Sequence, residues 1–137
     1  MRSLLVGTCG TIALALGACA STPHFTCAAG ERAMRVDTYY FGTGIPGGGT
    51  VSDAEWSSFV EEVVTPRFPQ GLTTWQASGQ WRGASGVVER EGTHVLRLAH
   101  PDDAAHERAA AEVAAAYKTR FRQESVMRER AHVCTSF

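Results

Sequence analysis

The sequence predicts an α+β fold, one antiparallel sheet with two helices on one face, from three observations. Four stretches read as extended, the first of them rich in β-branched and aromatic residues. Two others repeat apolar residues at helical spacing. Along the chain they follow one another as strand, helix, two strands, helix, strand.

Arg35 to Phe41 is the first strand, stopped by Gly42, and a glycine-rich loop runs on to Gly49. Ser52 and Glu55 have capping-box spacing, so a helix starts there. Trp56, Phe59, Val60, Val63 and Val64 form its core-facing stripe, and Pro66 and Pro69 end it. Leu72 to Trp81 is a strand with a bulge expected at Gly79, and Gly83 to Gly86 is a turn. Val87 to Glu91 and His94 to His100 complete a long hairpin, with a break expected at Gly92. Asp102 is the expected N-cap of the second helix, with Asp103 favourable to its dipole. Ala110, Val113, Ala114, Tyr117 and Phe121 form the stripe of that helix. Ser125 to Val133 is the last strand. With right-handed crossovers this order makes a ferredoxin-like β-α-β-β-α-β sandwich, in which the first and last strands are antiparallel neighbours.

The N-terminus reads as an address. Arg2 is followed by Leu4 to Ala18, an uncharged apolar run of 15 residues. That suits a signal peptide and falls short of the ~20 residues a spanning helix needs. Leu16-Gly17-Ala18-Cys19 resembles a bacterial lipobox, which implies cleavage before Cys19 and acylation of that residue. Acyl chains at ~0.8 kcal/mol per buried CH₂ would tie the protein to a bilayer. The alternative is an ordinary leader, cut near Ala20, and a soluble periplasmic or secreted protein. Ala20 in the second mature position favours the outer membrane's periplasmic leaflet. The expected organisation is a signal peptide over 1–18, a lipidated tether over 19–33 and one α+β domain over 34–137. Setting aside Cys9 in the leader and Cys19, Cys27 and Cys134 remain, either paired in an oxidising compartment or free.

Composition narrows the function classes. With 13 basic and 14 acidic residues the net charge is −1, which gives no drive towards nucleic acid. Gly42-Thr43-Gly44-Ile45-Pro46-Gly47 matches G-x-G-x-x-G, but the helix starts too late for its amides to meet a phosphate. Lys118 is the only lysine, so there is no phosphate-loop lysine, and no cofactor is expected. His100, Asp102, Asp103 and His106 cluster closely, and Asp102 with His106 has metal-ligand spacing. Capping and solvation account for them, and no metal is expected. No G-x-S-x-G elbow or other catalytic setting is present, so no catalytic residue is assigned.

Several segments stand in a recognisable order: Tyr40-Phe41-Gly42, Val51-Ser52 with Glu55-Trp56, Val64 to Pro69, Gly71-Leu72-Thr73, Gly79-Gln80-Trp81-Arg82, Arg90-Glu91 and Gln123-Glu124-Ser125-Val126. Together they resemble a bacterial family of small exported proteins, family 3574 of the domains of unknown function, over about Arg35 to Arg128. Tyr39 stands where the family's longer apolar strand residue is expected. The resemblance implies no activity.

The remaining constellation is basic and aromatic: Tyr40, Arg67, Trp81, Arg82, Arg90, Arg97 and Arg128. Strand alternation sets Arg97 opposite in facing to Leu96 and Leu98, and Arg128 and Arg130 opposite to Met127. Arg97, Arg128 and Tyr40 are therefore expected on the open face of the sheet. The expected function is that of a non-enzymatic cell-envelope binding or interaction module, with a homodimer or an envelope protein as partner. The alternative is a small enzyme or a binder of an anionic ligand, read bidentately by arginine on that face.

Overall fold

The computed structural model describes residues 25–137, so the leader, Cys19 and the start of the tether lie outside the described residues. Four strands form one antiparallel sheet in the order β2-β3-β1-β4: β1 (Arg32–Gly42), β2 (Thr73–Arg82), β3 (Val88–His100) and β4 (Met127–Thr135). Helices α1 (Asp53–Phe59) and α2 (Ala104–Phe121) supply the two crossovers. This is the ferredoxin-like α+β arrangement that the sequence predicts.

One face of the sheet carries the core. Tyr39 and Phe41 of β1 and Leu96 and Leu98 of β3 pack against Trp56 and Phe59 of α1 and Ala110, Val113, Tyr117 and Phe121 of α2. The pattern follows from strand alternation, since Tyr39 pairs with Leu96 across the β1–β3 ladder. Two buried tyrosines need hydrogen-bond partners, and both find backbone. The Tyr39 hydroxyl donates to Ala110 O at 2.8 Å and the Tyr117 hydroxyl to Gly42 O at 2.9 Å. Burial pushes both hydroxyls above the ordinary tyrosine range.

The helix starts separate two readings of the sequence. Ser52 forms the expected capping box: Glu55 N donates to Ser52 Oγ, and Ser52 N donates to Glu55 Oε2 at 2.8 Å. At α2 the cap is Asp103, not Asp102: Asp103 Oδ1 accepts from the amides of Ala105 and His106, both at 2.9 Å. Asp102 turns to the sheet instead, meeting Arg35 at 2.6 Å and His132 at 2.7 Å. The short ion pair with Arg35 and the hydrogen bond with His132 outweigh a weak pull from amides one residue further on.

After Phe59 the first helix widens into a π turn, Val60–Val64, where Thr65 N donates to Val60 O at 2.9 Å. Pro66 has no amide to continue the α ladder. Val64 is buried and Val60 and Val63 are half-buried against the core, so the expected stripe faces it throughout.

The hairpin is regular. Pairing runs unbroken from Thr73↔Arg97 to Arg82↔Val88, with neither a bulge at Gly79 nor a break at Gly92. Gly79 is there because a Cβ would lie 2.7 Å from Thr93 Oγ1. Close approach across the ladder, not bulging, requires the glycine. At the far end of the sheet Cys27 and Cys134 are joined in a disulfide, with Cα atoms 5.5 Å apart. Pairing of β1 with β4 brings the two ends of the domain together there, through Ala33↔Cys134.

Candidate functional site

The face of the sheet away from the helices is bare. Its middle row is apolar: Trp75, Val95, Tyr40 and Met127 stand side by side across β2, β3, β1 and β4. The next row is polar: Thr73, Arg97, Thr38 and Glu129.

Towards the Gly42 end this face hollows into a cleft of ≈ 200 Å³. Trp81 from β2, Tyr40 from β1 and Met127 from β4 supply its apolar walls, and Glu91 and Thr93 of β3 lie beneath. Gln123, Glu124 and Ser125, between α2 and β4, close one side. Tyr40 and Gly42, Gly79 to Trp81, and Glu91, separate in the sequence, meet here through the β-sheet pairing, and Gln123 to Ser125 join them from the end of α2.

Two polar anchors fix the cleft. The Gly44 amide donates to Glu91 Oε2 at 2.6 Å, and the Glu91 carboxylate fills the space beside Gly42 and Gly44 where Cβ atoms would stand. Gln123 Nε2 donates to Gly44 O at 2.6 Å, tying the end of α2 to the same loop. The Tyr40 hydroxyl donates to Glu129 at 2.9 Å, which raises its ionisation above the usual range. The charged groups lining the cleft are Glu91 and Glu124; its lining contains no arginine, lysine or histidine. Aromatic faces beside carboxylates suit a cation carrying apolar groups.

The basic residues expected on the open face are dispersed. Tyr40, Trp81 and Arg97 are on it; Tyr40 and Trp81 line the cleft, and Arg97 is exposed away from it. Arg128 is a correction: it faces the helices, because it pairs across β4 with Tyr39, whose ring is in the core. Its neighbours Met127 and Glu129 take the open face in its place. Arg130 shares the facing of Arg128 and pairs with Glu107 at 3.3 Å. Arg67 lies in the helical layer, donating to Glu112 at 3.0 Å and to Val63 O at 2.8 Å. Arg82 and Arg90 are exposed in the outer part of the hairpin, opposite Val88 and Gln80. By alternation they face away from Trp81 and Glu91. Glu91, Gln123, Glu124 and Met127 were not among the predicted site residues, because nothing in their local pattern separates a cleft wall from a solvated surface.

A second cluster of charges lies between the sheet and the start of α2. Asp37 has no exposed surface, yet its Oδ2 accepts from Arg128 at 2.7 Å and meets His100 Nε2 at 2.8 Å. His100 Nδ1 meets Pro101 O at 2.8 Å. Both ring nitrogens thus face oxygen atoms. Arg128 also grips Glu107 through both terminal nitrogens, at 2.9 and 3.0 Å, and holds that carboxyl below the usual range. His106, expected to face water, is half-buried; it stacks on His100 at 5.5 Å between ring centres and bonds Asp103 at 2.8 Å. Asp102 and His106 thus have separate partners and share no ion site. These groups pair with one another, although Arg35 Nε, Asp37 Oδ1 and Arg128 Nε are buried without a hydrogen-bond partner, and the cluster ties α2 to β1 and β4.

The Gly42-to-Gly47 loop closes on itself: Gly48 N donates to Ile45 O, Ile45 N to Gly49 O and Val51 N to Thr43 O. The Thr43 and Gly44 amides donate to Gly92 O and Glu91, and α1 starts only at Asp53, so these amides do not sit at a helix N-terminus. Among the described residues no helix is long and apolar enough to cross a membrane.

Solved structures share the fold. A phage SAM lyase in complex with S-methyl-5'-thioadenosine superposes with a TM-score of 0.58 at 12% identity, covering 85% of this chain and 97% of that one. The same lyase in its apo state gives 0.57 at 12% identity, over 84% and 97%. CutA from Synechococcus elongatus PCC7942 gives 0.51 at 7% identity, over 79% and 82%. At these identities the likeness shows the fold alone. No curated protein sequence matches the chain. The model of one family matches residues 37–137, and the chain belongs to that family, described as Protein of unknown function (DUF3574).

Proposed function

We propose that this domain is a non-enzymatic binding module, held at the cell envelope through Cys19, whose cleft takes an organic cation with apolar substituents. The observation that supports the ligand class is the lining: Trp81, Tyr40 and Met127 around the Glu91 and Glu124 carboxylates, with no basic residue among them. A cation over an aromatic face gains ~0.5–2 kcal/mol, more when water is excluded, and a neighbouring carboxylate adds to it. The cleft is smaller than the ~300 Å³ at which drug-sized sites begin, so it suits a headgroup or a side-chain terminus more than a whole cofactor. An anionic ligand at Arg97 meets Thr38 and Thr73 in the adjoining strands instead of a second arginine to form a clamp.

The test is a titration of the Cys19→Ser chain, followed through its tryptophan indole N–H resonances. The probes are tetramethylammonium, choline and, as an anionic control, acetate. The expected result is a saturable shift of the Trp81 signal with the two cations and none with acetate, abolished in Glu91→Gln. A shift with acetate alone, or none with any probe, would overturn the ligand class.

A further inference from the structure

The sheet has two outer strands, and they are protected differently. β4 carries Arg128, Glu129, Arg130 and His132, charges of the kind that discourage edge pairing. β2 carries none from Thr73 to Trp81, contains no proline and is unbulged. It is ten residues long and paired only with β3, so its outer edge is unpaired among the described residues. Every second residue of such an edge presents an N–H and a C=O outward.

The sequence of this edge is self-complementary. Trp75-Gln76-Ala77-Ser78-Gly79-Gln80-Trp81 reads the same in both directions except for alanine against glycine. An antiparallel two-fold pairing centred on Ser78 therefore sets like beside like. Trp75 meets Trp81, Gln76 meets Gln80, Ala77 meets Gly79, and Ser78 meets its own copy. Trp75 and Trp81 share the open face by alternation and are 45% and 36% exposed.

We propose that β2 pairs with β2 of a second copy of this chain in this register, joining two four-stranded sheets into one of eight. Pairing over Thr74 to Arg82 forms about eight to ten backbone hydrogen bonds. Two symmetry-related tryptophan pairs add cross-strand contacts on the open face. The partner subunit's Trp75 then stands beside Trp81 and extends the aromatic wall of the cleft. The proposal rests on the edge and its sequence, and stands whether or not the cleft takes a cation.

The test uses light scattering on the Cys19→Ser chain, with two double variants on the Gln76–Gln80 pair. Gln76→Lys with Gln80→Lys sets lysine opposite lysine in the proposed register. Gln76→Lys with Gln80→Glu sets lysine opposite glutamate in both symmetry-related pairs. Circular dichroism checks that each variant keeps the wild-type fold. The expected result is a wild-type dimer, a monomer for the double lysine variant and a restored dimer for the lysine–glutamate variant. A monomeric wild type at every soluble concentration would overturn the proposal, leaving the edge to a strand of another protein. So would an assembly that both variants leave intact, or that both abolish.

Discussion

Asp37 Oδ2 accepts a hydrogen bond from Arg128 Nη2 at 2.7 Å, a carboxylate with no exposed surface meeting a guanidinium from the neighbouring strand. The pair joins β1 to β4 on the side where α2 packs. It also explains why Arg128 is not available to a ligand. Removing one partner of a buried pair strands the other charge, at ~3–5 kcal/mol. Arg128→Met is therefore expected to lower the unfolding free energy by about 3 kcal/mol. Adding Asp37→Leu should recover only part of that, since it removes the buried carboxylate but leaves His100 Nε2 without its partner. Urea unfolding of the two variants measures both values, and a loss below ~1 kcal/mol for Arg128→Met would contradict the assignment.

Acid should unfold the domain through the carboxyls at the start of α2. Arg35, and then His132, hold the Asp102 carboxyl at about 2, and Arg128 holds Glu107 below its ordinary value. Both values are depressed on folding, so their contribution is present above the unfolded values near ~4. It is lost as the pH falls through the folded values. The midpoint of thermal unfolding should stay level from neutral pH to ~5 and drop below ~4.5. Arg35→Gln should shallow the drop, and an identical profile in that variant would count against it.

The disulfide between Cys27 and Cys134 closes a loop with a sequence separation of 107. Chain-entropy arguments place the contribution of so long a loop at up to ~5 kcal/mol, with ~2–4 kcal/mol typical of a disulfide. Cys27→Ala with Cys134→Ala should lower the urea midpoint accordingly, and a reducing agent should do the same to the wild type alone. An unchanged midpoint in the variant would show that the ladder between β1 and β4 needs no clamp.

Gly42 leaves room for the Glu91 carboxylate, which a Cβ at that position would overlap. Gly42→Ala should force Glu91 off the Gly44 amide and cost about 1 kcal/mol, chiefly the loss of that hydrogen bond, since the carboxylate ends a flexible side chain. In Gly42→Ala with Glu91→Ala the conflict disappears, so the two changes should be strongly non-additive. Independent effects in this double-mutant cycle would contradict the packing.

The two aspartates before α2 have different roles, and alanine should separate them. Asp103→Ala removes the N-cap and should cost about 1 kcal/mol. Asp102→Ala should leave the cap intact and chiefly remove the acid sensitivity. Amide exchange at Ala105 and His106 would distinguish them, accelerating only in the Asp103 variant.

The sheet, the helices and their order were legible because each is written in local patterns. Alternation gave the facing of Leu96, Arg97 and Leu98, and the spacing of Ser52 and Glu55 gave the first cap. Those patterns could not place Arg128. Alternation set it opposite to Met127 correctly, but which of the two faces the helices depends on register with Tyr39 across the sheet. An arginine on the covered face also contradicts the rule that charge stays outside, until a buried carboxylate such as Asp37 is known to await it. The break expected at Gly92 failed for a related reason: glycine marks either a bend or a close approach, and only the neighbour decides.

By itself, then, the amino-acid sequence determined the kind, number and order of the elements, since each follows from periodicity and capping within a few residues. The covered and bare faces of β4, the choice of Asp103 over Asp102 as cap, and the cleft around Glu91 were decided only by tertiary structure. Each depends on groups far apart in the chain. A side chain's partner is set by the register that brings another strand or helix to it, and no local pattern carries that information.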